Sequence, residues 1–308
     1  MKLLAAERLK QRDFFLCDVF ESFKDDAASM EHPVFSLSTK PDFRVLKYEN
    51  NGYSIEIKPS YTGLATIHDK DILVYIASHL MSAKNKGKLI NKTVRFTAYD
   101  YLVSTNKQTG GILYKRFEEA LDRLVGTVIK TNIKTNGEEI TRVFSLIDEW
   151  GAIENKDKKM IAIEVKLSDW FYNSIIGNEV LSIDSEYFNL RKPTERRLYE
   201  LARKHCGNQT AWKIKLDKLQ LKLGVTSPIR KLRINIIEIV KTNHLPEYNI
   251  SIEGDVVIFS RKAPPKENKP PEQLPVRVTE ATIKKHARPG ESKQQVVDRV
   301  RKLKQACK

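Results

Sequence analysis

The chain has 308 residues and carries 54 Lys and Arg against 39 Asp and Glu, a formal net charge of +15. Such a basic excess points to a polyanionic partner, and a 41% hydrophobic fraction excludes a disordered chain. No apolar run reaches the roughly 18 residues a membrane span requires, and the opening Met1–Arg12 meets charge too soon to form a signal-peptide core, so the expected location is cytoplasmic, without a membrane partner.

In chain order, residues 1–62 read as an N-terminal helix and an extended segment leading into a first domain. Helical apolar spacing runs from Leu3 to Phe23 through Phe14, Phe15, Val19 and Phe20, which suits a docking or dimer helix. Residues 63–150 read as a first winged helix-turn-helix domain. Its parts are a helix over Asp69–Ala83, a strand over Val94–Phe96, a short helix over Ala98–Val103, a polar turn, and a helix from Leu113 that stops at Gly126. Thr127–Ile133 and Ile140–Ile147, flanking the turn residues TNGEE, read as its hairpin.

Residues 151–190 read as a connecting segment, and 191–262 repeat the earlier order as a second winged-helix domain. A helix over Thr194–His205 leads to a strand over Trp212–Ile214 and a short helix over Leu216–Leu223 closed at Gly224. Ser227 reads as the N-cap of a third helix, with Pro228 at its first position. Tyr248–Ile252 and Val256–Ser260 form the closing hairpin. The strand-to-third-helix interval is nearly the same in the two copies: Val94 to Thr109 spans 15 positions and Lys213 to Ser227 spans 14. The repeat therefore lies in pattern more than in letters. Residues 263–308 read as a Pro-rich linker and a basic tail with short helices over Val278–Ala287 and Glu291–Lys304. The fold class expected is thus α+β, two tandem winged helix-turn-helix domains with a basic C-terminal tail.

Net charge is −1 over 1–67, +3 over 68–150, −3 over 151–190, +9 over 191–262 and +7 over 263–308. An asymmetry of this kind fits a localised phosphate-binding face, the alternative being a generally solvated basic surface. In the second copy the third helix carries Arg230, Lys231, Ile234 and Asn235 outward, with Arg233 beside the core face and Ser227 at its start. Arg and Asn can bond base edges in pairs, Ile234 can meet a thymine methyl, and Lys231 suits a phosphate. In the first copy the corresponding residues are Lys107, Thr109, Gly110, Gly111, Tyr114 and Lys115, after which Glu118, Glu119 and Asp122 repel phosphate. Lys130, Lys134 and Arg142 on the expected hairpin would then track the backbone, or this copy would serve for dimerisation or docking.

Signatures of catalysis are missing. The six histidines fall in neither HxH nor HExxH spacing, and no GxxxxGK[ST] loop occurs, which leaves a metal-dependent nicking enzyme and an intrinsic ATP motor without their usual residues. Cys17, Cys206 and Cys307 lie far apart outside any CxxC, arguing against disulfide pairing and zinc. The expectation is a non-enzymatic DNA-binding protein with no cofactor and no metal.

Four strings carry a resemblance: MEHPVFSLSTKPD at 30–42, IEIKPSYTGLATIHDKDILVYIASHL at 55–80, VRFTAYDYLVSTNKQTGG at 94–111 and ERRLYELARKHCGNQTAWKI at 195–214. With the weaker segments between them, the chain resembles the plasmid replication initiator protein A family over roughly residues 13–262. The resemblance implies binding to origin repeats (iterons) in double-stranded plasmid DNA, origin opening, and recruitment of host replication initiator and helicase-loading proteins. By analogy it also implies repression of the chain's own promoter as a homodimer. The competing reading is a transcriptional regulator or partition protein on the same fold.

Overall fold

The first described strand, β1 (Phe23–Asp26), leads into α1 (Ala27–Glu31), where the Asp26 carboxylate caps the helix by accepting from the Ser29 N–H at 2.7 Å. The computed structural model describes residues 22–50, 52–132, 141–154, 160–262 and 294. The expected helices at the N-terminus and in the basic tail therefore lie outside the described residues, except that Phe23 belongs to β1 and Gln294 is helical.

Two strands, β2 (Leu46–Asn50) and β3 (Tyr53–Lys58), precede α2 (Lys70–Asn85). They are followed by β4 (Thr93–Phe96), α3 (Ala98–Ser104) and α4 (Gly111–Gly126). Thr97 starts α3, its hydroxyl accepting from the Asp100 N–H at 3.0 Å. Four strands come next: β5 (Val128–Thr131), β6 (Arg142–Ser145), β7 (Ile147–Glu154) and β8 (Met160–Leu167). A short helix α5 (Asp169–Ile176), strand β9 (Val180–Ile183) and a 3-10 turn (Ser185–Asn189) complete this part. The second half consists of α6 (Pro193–His205), β10 (Ala211–Lys215), α7 (Leu216–Leu223), α8 (Ile229–Thr242), β11 (Tyr248–Glu253) and β12 (Val256–Arg261).

Among the described residues the strands pair antiparallel in four sheets, ordered β1-β9, β2-β3-β5-β6, β4-β8-β7 and β10-β12-β11. The two three-stranded sheets share one topology, in which the strand between the first and second helices lies beside the second strand of a later hairpin. This corrects one expectation. Within 127–133 and 140–147, Val128–Thr131 and Arg142–Ser145 do pair, as β5 and β6, but they join β2 and β3 in a separate sheet. The hairpin that belongs with β4 is β7–β8, with Val94 opposite Val165 and Phe96 opposite Ile163. The segment 151–190 is accordingly no linker: it completes β7, supplies the central strand β8, and sends β9 to pair with β1. The reason is visible in β8, where Ile163, Val165 and Leu167 are wholly buried on the core side.

The described residues up to Lys262 form one compact unit holding two hydrophobic cores. Helix α2 serves both, because it is apolar nearly all round: Ile72, Tyr75 and Ile76 enter the first core and Val74 the second. Between the cores lies a network of buried charge. The Lys70 ammonium sits 2.8 Å from Asp25 and 3.0 Å from Glu200, and Arg197 stands 3.0 Å from Glu200. Asp71 is paired with Arg196 at 2.5 Å and with Lys107. Charges taken this far from water are tolerated only because each meets an opposite charge, and removal of one partner would leave the other uncompensated.

Candidate nucleic-acid interface

Helix α8 owes its place to one apolar stripe. Leu232, Ile236 and Ile239 are buried in the second core, and these positions recur at helical spacing. The opposite side is therefore fixed in solvent. It presents Arg230 and Lys231 in the first turn, Ile234 at 58% exposure, then Ile237, Glu238 and Lys241, with Asn235 half-buried at the edge. Arg230, Lys231, Ile234 and Asn235 thus occur together on or beside one open helix face. The helix start differs from expectation, since Pro228 occupies the cap position and no side chain caps it. Ser227 is half-buried one residue earlier, its carbonyl accepting from the Gln220 amide at 2.6 Å. Proline fixes its own φ near the helical value but has no side-chain acceptor, so the free N–H groups of the first turn stay open to an anion.

Arg233 faces another way: it donates to the Gly254 carbonyl at 2.7 Å and pairs with Asp255, tying α8 to the β11–β12 turn. Three cations that sequence reasoning passed over, Lys213 and Lys215 on β10 and Lys218 on α7, are exposed in the same half. Their signal was present as the alternation of Lys with buried Ile214 and Leu216, read only as a strand and a helix start.

The first half is arranged differently. Lys107 turns inward to Asp71, with its ammonium 5.5 Å from the Tyr101 ring centroid, and so is not part of an outward face. Tyr114 is packed against the first core, while Thr109, Gly110 and Lys115 are exposed. Glu118 and Asp122 follow along α4, and the Asp122 carboxylate accepts from the Trp150 indole of β7 at 3.0 Å. The hairpin beside α4 adds exposed Asp148, Glu149 and Glu154. Lys130 and Arg142 stand on the separate β2-β3-β5-β6 sheet, and Lys134 lies outside the described residues. On the flank of α4 opens a cavity of about 580 Å³ whose wall includes Lys40, Lys107, Arg116 and Arg123. Arg123 is committed to Asp69 through two bonds of 2.8 Å.

Among the described residues no group of three or more His, Cys, Asp or Glu could hold a metal ion, and no helix is long and apolar enough to cross a membrane. Cys206 is buried and unpaired.

Residues 24–250 match the family model of Replication initiator protein A. The chain belongs to the replication initiator protein A family. It is 40% identical over 269 residues to a putative replication protein of Wigglesworthia glossinidia brevipalpis, an alignment covering 85% of this chain and 98% of that one. The fold of this chain is similar to that in a crystal structure of domains 2 and 3 of RctB, with a TM-score of 0.52 at 13% identity, covering 73% of this chain and 93% of that one. A second crystal structure of RctB domains 2–3 gives 0.51 at 14% identity, covering 77% and 97%. At that identity the likeness concerns the mixed α and β fold.

Proposed function

We propose that the chain is a plasmid replication initiator that binds origin repeats in double-stranded DNA, each half being a winged helix-turn-helix and α8 the principal reading helix. The observation that carries this reading is the open face of α8, where Arg230 and Lys231 sit in the first turn with Ile234 and Asn235 one turn further on. A recognition helix enters the major groove N-terminus first, so those four side chains would meet bases and phosphates before any others. Membership of the initiator family supports the replication role. The first half, with Glu118, Glu119 and Asp122 along α4 and an acidic β7, suits a supporting and assembling role more than base reading, since carboxylates repel phosphate. Origin opening, recruitment of host replication initiator and helicase-loading proteins, and promoter repression by a homodimer belong to the same proposal, as does action without catalysis or cofactor.

The test places the coding region and its neighbouring DNA on a plasmid that cannot otherwise replicate, and maps purified full-length protein on that DNA by footprinting. Maintenance of the plasmid together with protection of repeated sites is expected. Protection without maintenance would favour the transcriptional regulator or partition protein, and absence of protection at low salt would overturn the reading.

A further inference from the structure

Helix α8 is preceded by a tight turn, and that turn is gripped by residues far away in sequence. Gly224 ends α7 in the left-handed conformation, φ +69°. Its carbonyl accepts from the Tyr48 hydroxyl of β2 at 3.0 Å, and Arg44 donates to the Thr226 hydroxyl at 3.0 Å. Arg44 is itself fixed, since its Nε and Nη2 both lie 2.8 Å from the Asp42 carboxylate, which also accepts from Ser36 at 2.8 Å. The Arg44 hydrogen bonds hold the Asp42 carboxyl down at about 2, so it is charged at any ordinary pH. Two further ties reach the last turn of α7: Lys222 pairs with Glu31 at 3.1 Å, and its carbonyl accepts from Arg197 at 3.0 and 3.2 Å. There is no slack in the contact, because a Cβ at position 224 would stand 2.7 Å from Pro33 Cβ and 2.9 Å from the Tyr48 hydroxyl.

We propose that the first half sets the angle of the reading helix through this brace, which makes Arg44, Tyr48 and Thr226 positioning residues for sequence recognition. The proposal rests on α8 being the reading helix. A turn held before DNA arrives need not be ordered at binding, so the brace adds to the affinity for the correct site, where side chains must meet base edges at fixed angles. On a random site, held by phosphate contacts alone, the angle matters little.

The probes are a duplex enriched by the unmodified full-length chain from a randomised library, and a scrambled duplex of the same composition. Tyr48→Phe and Thr226→Val should each weaken binding to the enriched duplex by about 3- to 10-fold, the worth of one ordinary hydrogen bond. They should leave the scrambled duplex and the salt slope unchanged, and Thr226→Ser, which keeps the hydroxyl, should bind like the unmodified chain. Unchanged selectivity in folded Tyr48→Phe and Thr226→Val overturns the brace. Equal loss on both duplexes also overturns it, since that is the mark of a lost phosphate contact. Arg230→Ala is measured alongside: if it loses selectivity while the brace variants do not, only the brace falls. If Arg230→Ala keeps full selectivity, the reading of α8 fails and takes the brace with it.

Discussion

His205 ends α6 with its ring stacked on Trp212, 4.5 Å between centroids. Burial lowers its pKa from the ordinary 6.5 to about 4, helped by Lys222, Lys204 and Arg197 and opposed by Glu31. A depressed folded-state value means that the unfolded chain takes up the proton first as pH falls. His205 therefore adds stability that is present above pH 6.5 and is lost as the pH falls towards 4. His205→Gln should melt with a shallower dependence on pH across that window than the unmodified chain, and parallel curves would contradict the assignment. At this scale the sequence was a partial guide. Arg230, Lys231 and Ile234 were legible as outward because the apolar stripe of α8 fixes its opposite face. Lys107 and Arg233 were not, because a long cationic side chain is oriented by whichever carboxylate the tertiary fold brings within reach, here Asp71 and Asp255.

Helices were the most readable elements, since the 3.6-residue period that defines them is also what buries them. The expected helix over Asp69–Ala83 became Lys70–Asn85, and Leu216–Leu223 was placed to the residue. Strand partners were harder, because alternation reveals a strand but not its neighbour in the sheet. TNGEE is a strong turn signal and β5 does pair β6, yet nothing local says that these two strands lie beside β3 instead of β4. The second-half hairpin was read correctly because, among the described residues, only one pair of strands follows α8. The load of α8 rests on its buried stripe, in which Ile236 is fully covered. Ile236→Ala should lower stability by about 2–5 kcal/mol through the cavity it leaves. Denaturant melts check this, and a loss well under 1 kcal/mol would mean that the helix is not seated as described.

Over the whole molecule, the described residues up to Lys262 fall in a single unit, with α2 shared by both cores and charge buried between them. The repeat was legible because each half has its own apolar pattern. The junction was not, because Lys70, Asp71 and Arg196 look in sequence like ordinary surface charges. Their burial fixes one half against the other and so gives the brace on the α7–α8 turn a firm base. Charge follows the same division, with +9 over residues 191–262 and only +3 over 68–150, a distribution that agrees with the proposal that the second half reads DNA. The measurement that bears most directly on this is binding of purified full-length Arg230→Ala and Lys231→Ala to the enriched and scrambled duplexes. Arg230→Ala should cost about 1–3 kcal/mol on the enriched duplex and relax base preference, whereas Lys231→Ala should weaken both duplexes about equally and reduce the salt slope by about one. If both folded variants bind like the unmodified chain, α8 is not the reading helix.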